Sequence, residues 1–256
     1  MQITEIYKSL QGESSWAGLP CIFVRLTACN LRCSWCDSEY TFSGGVKMSG
    51  EQVEAEIVRL SRITRQCTPD YSGLKPARND ATFKETLNVK GWLPLVEITG
   101  GEPMLQEREV VPLMQRLLDS GYTVLLETSG ERPLHKVPPQ VVKIVDVKCP
   151  HSGAPNTFRM ENLQALGARA EVKFVLSDRG DYEFAREFIG EHELARRVHS
   201  VILSPAFRKD ATGARDASHC LLDPRELADW MLEDGVPARL GLQIHKFVWD
   251  PALKGV

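Results

Sequence analysis

A chain of 256 residues with a formal net charge of −3 at pH 7 has room for one large α/β domain and offers no broad basic field for nucleic acid or anionic lipid. Residues 1–13 lack the charged-then-apolar pattern of a secretion signal, and no later apolar run approaches the roughly 18 residues of a membrane span, so a cytoplasmic protein with no membrane partner is expected. Of seven cysteines, Cys21, Cys67, Cys149 and Cys220 are scattered and three crowd between positions 29 and 36, which is not the layout of a disulfide framework.

Short β-branched runs alternate with amphipathic patterns along the chain. Strands are expected at 21–27, 95–99, 123–128, 141–147, 171–177, 200–204 and 240–245, the signature of parallel strands joined by helical crossovers. Between the second and third, Val110, Val111, Leu113, Met114, Leu117 and Leu118 make one apolar helical face, and Gly121 stands where a C-terminal cap belongs. Residues 128–140 contain Pro133, Pro138 and Pro139 and cannot supply a regular crossover helix. Asp223, Pro224 and Glu226 open a further helix that Gly235 closes. Residues 62–94 are polar and aperiodic, and a surface excursion is expected there. The fold class that follows is a partial, irregular parallel (β/α) barrel occupying 1–256 as a single domain.

Polar clusters follow the expected strands, and in a parallel barrel the carboxyl ends share one face, which carries the site. The first cluster, "CNLRCSWC" (29 to 36), holds three thiols. A disulfide would use two and a closed structural zinc site four ligands, whereas three cysteines on a four-iron cluster leave one iron open. The second, "TGGEP" (99 to 103), pairs two glycines that let the backbone approach a bound group with Glu102, a carboxylate suited to a ligand's amino group. On "IFVRL", Arg25 shares a face with Phe23, opposite Ile22, Val24 and Leu26; it points inward if helices cover the aliphatic face, and a structural pairing with Glu13 is the alternative. His245, at the end of the last expected strand, is either a ligand-facing group or a satisfied core histidine.

The Cx3Cx2C spacing of Cys29, Cys33 and Cys36, with Trp35 before the third cysteine and "TGGEP" downstream, resembles the radical S-adenosylmethionine (SAM) superfamily. That resemblance implies a [4Fe-4S] cluster whose open iron is chelated by SAM, and hydrogen abstraction from substrate by a 5′-deoxyadenosyl radical. "SLQGE", "FVRLTACNLRCSWCDS", "DVKCP", "LSP" and "LQIHKFVW" are together similar to the 7-carboxy-7-deazaguanine synthases. The similarity implies conversion of 6-carboxy-5,6,7,8-tetrahydropterin to 7-carboxy-7-deazaguanine with loss of ammonia, a requirement for Mg2+, a homodimer, and an electron donor such as flavodoxin or ferredoxin. It places Trp35, Gly101, Glu102, Lys148 and Ser204 at SAM, and Leu10, Gln11, Gly12, Glu13, Arg25, Thr99 and His245 at the pterin. Ser38 stands where the family has the threonine that ligates Mg2+, and serine keeps the hydroxyl. Two alternatives remain: a glycyl-radical enzyme activating enzyme, which shares the cysteine and glycine motifs, and a zinc-binding interaction module, which lacks a fourth ligand near the three thiols.

Overall fold

Strand parity organises the computed structural model, which describes residues 1–62, 93–209, 211–213 and 215–255. In β2 (Pro20–Leu26), Ile22, Val24 and Leu26 face one way and Cys21, Phe23 and Arg25 the other. The same alternation runs through β4 (Leu95–Gly100), β5 (Thr123–Thr128), β6 (Val142–Asp146), β7 (Glu171–Leu176) and β8 (Ser200–Pro205), which follow β2 side by side, all parallel. Strand β9 (Arg239–Leu240) adds two residues at that edge. At the other edge β1 (Gln2–Leu10) pairs antiparallel to β2, and β3 (Val46–Lys47) antiparallel to β1. The order β3-β1-β2-β4-β5-β6-β7-β8-β9 has two different ends, so the sheet is open. The expected incomplete parallel barrel is this sheet.

The outer face is apolar because the helices cover it. Helices α1 (Gly50–Ser61), α2 (Glu107–Asp119), α3 (Arg179–Glu191), α4 (Leu194–Arg197) and α5 (Pro224–Asp234) bury Val53, Ile57, Val110, Leu113, Met114, Leu117, Tyr182, Leu194 and Leu227 in one cluster with Val24, Ile98, Leu126 and Phe174 of the strands. The expected punctuation holds. Gly121, at φ 85°, ends α2, Asp223 Oδ1 accepts from Arg225 N at 2.9 Å at the start of α5, and Gly235 at φ 59° ends it. Between β5 and β6 no helix forms. Instead Asn162, buried, accepts from Leu134 N at 2.9 Å and donates to the carbonyls of Gly130 and Arg132, each at 2.8 Å, satisfying backbone that a crossover helix would otherwise satisfy internally.

Two expectations need correction, and one lies out of reach. Residues 2–10 form β1, which the polar letters Glu5, Lys8 and Gln2 concealed because most of this strand stays half-exposed on both faces. The strand expected at 240–245 stops at Leu240; Gly241 brings the chain off the sheet, and His245 opens a short helix, α6 (His245–Val248), rather than ending a strand. A Cβ at Gly241 would lie 2.5 Å from Ile202 Cγ2, so the departure needs a residue without one. Nearly all of the polar excursion expected at 62–94 falls outside the described residues.

The two-faced sheet generates a stability contrast. Ile98 is fully buried against the helices, so Ile98→Ala should cost about 2–5 kcal/mol in urea unfolding, while Leu232→Ala, at a position 81% exposed on α5, should stay within about 0.5 kcal/mol.

Candidate active site

The inner face changes character along the strands. Its lower part is apolar, with Cys21, Phe23, Leu95, Leu125, Val142 and Ile144 in one cluster. Above and around it stand Arg25, Glu97, Thr99, Glu127, Asp146 and Lys173, which line a cleft of about 1220 Å³ including its open mouth. The cysteine loop closes the carboxyl end of this cleft. Because β1 runs antiparallel to β2, the loop joining them lies at the opposite end, where Gln11 and Glu13 reach in.

Beyond β2 the chain turns at Ala28, held at φ 81° with its N–H donating to Thr41 O at 2.7 Å, and enters the loop of Cys29, Cys33 and Cys36. Ser34 ties that loop to the segment after β6 by N–H donation to Ser152 O at 2.8 Å. Strand β4 ends against the same turn: Glu102 N donates to Ala28 O at 2.9 Å, and a Cβ at Gly101 would lie 2.2 Å from Ala28 O and 2.7 Å from Cys29 Cβ. The glycine is what lets the two loops nest.

Glu102 has a different task from the one its motif suggested. Its side chain is buried and accepts from Met104 N (3.0 Å), Thr128 Oγ1 (2.7 Å), Ser129 N (2.9 Å) and Ser129 Oγ (2.7 Å). Each carboxylate oxygen thus has two protein donors, which fills its acceptor capacity. Glu102 welds the ends of β4 and β5 together, and its service to a ligand is to fix the backbone of the glycine turn.

The charged part of the cleft centres on Lys173, whose Nζ donates to Glu13 Oε2 and Glu127 Oε1, each at 2.5 Å. Burial alone would raise the carboxyl of Glu13; Lys173, then His245, overcome it and hold the group down at about 2. Gln243 Nε2 donates to Glu13 Oε1 at 2.6 Å, and Ile244 N to Gly12 O at 3.0 Å, so the C-terminal segment is laced to the N-terminal loop. The same segment reaches the cysteine loop through Lys246, which donates to Gln243 Oε1 at 2.9 Å and pairs with Asp37 Oδ2 at 2.7 Å. His245 sits over Gly12, where a Cβ would fall 2.2 Å from its Nδ1, and burial lowers its pKa, leaving a neutral imidazole at pH 7. Arg25 points inward as the covered aliphatic face requires, but its partners are Glu5 (Nε to Oε1, 2.9 Å) and Tyr7 (Nη2 to Oη, 2.9 Å) rather than Glu13. Lys148, beside the cysteine loop, pairs with Asp146 at 2.8 Å.

Leu10, Gln11, Gly12, Glu13, Arg25, Cys29, Cys33, Trp35, Cys36, Ser38, Thr99, Gly101, Glu102, Lys148 and His245 all line the one cleft. Ser204, buried in β8, lies on the same inner face in register with Val175 of β7, which lines the cleft while Ser204 stands beside it. The sequence reading missed Glu97, Glu127, Asp146, Lys173 and Gln243. Their signal was available for the strand residues, since "LVEIT", "TVLLET" and "EVKFVLS" each carry a charge at an inward position of an apolar run.

The donor set suits an iron–sulfur cluster. Among the described residues only His151, Asp178 and Asp181 bring three ligand atoms within 4.8 Å of one another; the three thiols are spread wider, whereas a tetrahedral zinc would draw its sulfurs to about 3.8 Å. None of the three is in a disulfide, and burial pushes the Cys36 thiol up to about 11 and raises Cys29 and Cys33, so loading must displace protons. Alanine at Cys29, Cys33 or Cys36 should therefore abolish iron and sulfide uptake on anaerobic reconstitution, while alanine at Cys220 should leave it intact. Gly101→Ala, which drives a methyl group into Ala28 and Cys29, should also reduce the iron bound per chain.

No protein-family model matches the chain. The 7-carboxy-7-deazaguanine synthase of Koribacter versatilis is 61% identical over 256 residues, 100% of each chain. That of Chlorobaculum tepidum is 35% identical over 259 residues, covering 100% of this chain and 97% of the relative. In fold, the chain is similar to QueE from Escherichia coli, with a TM-score of 0.63 over 94% of this chain and 92% of that one at 22% identity. It is more distantly similar to Streptococcus suis SuiB bound to precursor peptide SuiA, at a TM-score of 0.53 over 86% and 47% of the two chains and 8% identity. Full-length identity at this level, in a chain whose cleft gathers the cysteine triad, the glycine turn and the charged floor, places it in the 7-carboxy-7-deazaguanine synthase family.

Proposed function

We propose that this chain performs the reaction for which its relatives are named, the ring contraction of 6-carboxy-5,6,7,8-tetrahydropterin to 7-carboxy-7-deazaguanine with loss of ammonia, in queuosine and deazapurine biosynthesis. The observation that carries the reading is that the three thiols and the polar set Gln11, Glu13, Arg25, Thr99 and His245 line one cleft. A protein-activating enzyme of the glycyl-radical type needs a groove for a partner chain; the lacing of the C-terminal segment to both loops supports a small-molecule substrate instead.

Cys29, Cys33 and Cys36 would hold the [4Fe-4S] cluster, with Trp35, Gly101 and Lys148 beside SAM. When bound, the cluster and SAM supply the hydrogen-atom abstraction that starts the rearrangement. The chain's own part is to seat the pterin. Glu13, kept ionised by Lys173, accepts hydrogen bonds from ring N–H groups, and neutral His245 closes the cleft over Gly12. Arg25 is held by Glu5 and Tyr7 through Nε and Nη2, so Nη1 is the edge it turns to the substrate carboxylate. Ser38 Oγ donates to Asp37 Oδ1 at 2.8 Å and keeps lone pairs for Mg2+, which takes oxygen ligands and retains waters. The family resemblance supports a homodimer, a cytoplasmic location and reduction by a flavodoxin or ferredoxin. Among the described residues no helix is long and apolar enough to cross a membrane.

The direct test is to incubate reconstituted, reduced protein with SAM, Mg2+ and the carboxytetrahydropterin and to follow 7-carboxy-7-deazaguanine; absence of product from cluster-loaded protein would overturn the reading. Substitutions at two positions sharpen it. Arg25→Ala should weaken substrate binding by about 2–5 kcal/mol, roughly thirtyfold to several thousandfold, and Arg25→Lys should recover little, since a point charge cannot replace a planar guanidinium held on two sides. Ser38→Ala should shrink the stimulation by Mg2+ while SAM cleavage capacity survives, and Ser38→Thr should retain it.

A further inference from the structure

Glu97 is a carboxyl group with no described cation beside it. It lies midway along β4, 1% exposed, and the strands on either side carry Phe23 and Leu125 at its level. Its Oε2 accepts from Gln11 Nε2 at 3.0 Å, and the carboxyl of Glu127, diagonally across on β5, lies near enough for the two to share a proton. Each of these partners is committed on its far side. Gln11 Oε1 accepts from Glu13 N (2.8 Å) and Ser14 N (3.0 Å), which sets the turn that presents Gly12 and Glu13 to the cleft. Glu127 Oε1 takes Lys173.

We propose that Glu97 is a positioning residue that grips the substrate-binding loop through Gln11 and the Glu127 carboxylate at the same time, and that it does so as an undissociated acid. This rests on the pterin reading of the cleft and deepens it. The argument for the protonation state is geometric. Lys173 spends its short contacts on Glu13 and Glu127, with Asp146 at 3.9 Å, and among the described residues Glu97 has no ion pair. A hydrogen bond between two carboxyl groups needs a proton, and Glu97 is the one lacking a cation, so it is the donor and Glu127 the acceptor. Burial, then the nearness of Glu127, push the Glu97 pKa well above its ordinary value, in agreement. The titratable groups around it are Tyr7 on β1, Cys21 on β2, Glu127 on β5, Lys173 on β7, Glu13 on the loop and His245 on α6. Loss of the Glu97 proton at high pH would set two carboxylates against each other and release the loop.

The test separates a neutral hydrogen-bonding role from a charged or merely space-filling one. Glu97→Gln keeps the shape, accepts from Gln11 and donates to Glu127 without titrating. Glu97→Val keeps β-propensity and leaves both partners without it. In the cluster-loaded full chain, substrate KM for Glu97→Val should rise about tenfold or more, the loss expected when buried polar partners are orphaned, with SAM affinity unchanged. Glu97→Gln should stay within about threefold of the parent at neutral pH and should lack the alkaline rise in KM expected of the parent. Amide hydrogen exchange over residues 10–14, read without any ligand, should quicken in Glu97→Val and not in Glu97→Gln. A parent that makes no product would overturn the pterin reading, while the exchange measurement would still decide the positioning role. A Glu97→Gln variant as impaired as Glu97→Val, or slow loop exchange in a folded Glu97→Val, would overturn this inference. If Glu97→Val does not fold, the alkaline limb of Glu97→Gln decides: its persistence counts against the proposal.

Discussion

Lys173 is the point on which the rest of the site depends. A buried ammonium in an inward strand position has to be paired, and its two short partners come from the N-terminal loop, 160 residues away in sequence, and from β5, 46 residues away. The pairing draws Glu13 into the barrel and holds its carboxyl ionised, and Gln243 then follows Glu13 and carries the C-terminal segment across the cleft. Truncating one partner of such a network leaves an uncompensated buried charge, so the geometry of loop, floor and closing segment behaves as one unit.

The openness of the sheet is the second constraint. A closed barrel of about eight strands would fill its interior with side chains, whereas here the missing closure leaves a cleft. Something must still cover the seam, and the protein uses irregular chain at both ends of its sequence: the β1–β2 loop at one end of the strands and residues 241–248 spanning from that loop to Asp37. Such segments satisfy their backbone groups through individual contacts, as in Ile244 N to Gly12 O, which is why glycine is required at Gly12 and Gly241.

The cysteine and glycine turns are joined by the same logic. Nesting Gly101 against Ala28 and Cys29 couples the end of β4 to the cysteine loop, and Glu102 couples β4 to β5 by accepting four hydrogen bonds from its neighbours. The motif glutamate therefore serves any bound group through the backbone it holds in place.

The parallel strands, the helix caps at Gly121, Asp223 and Gly235, the three thiols and the glycine pair were legible in the sequence, because each follows from periodicity or from chemistry within a few neighbouring residues. The inward direction of Arg25 was legible too, given only that helices cover the aliphatic face of β2. Its partners were not: Glu5 reaches it across a strand pair that polar letters disguised, and Glu13, the nearer guess, is claimed by Lys173. The strand expected to end at His245 failed for a related reason, since where an edge strand stops depends on the neighbour it pairs with. The sequence by itself determined the central parallel strands, their helix caps and the spacing of the three thiols, all set locally. Only the tertiary structure decided which charges meet, because pairing across the barrel is a matter of distance in space between strands whose residues lie far apart along the chain.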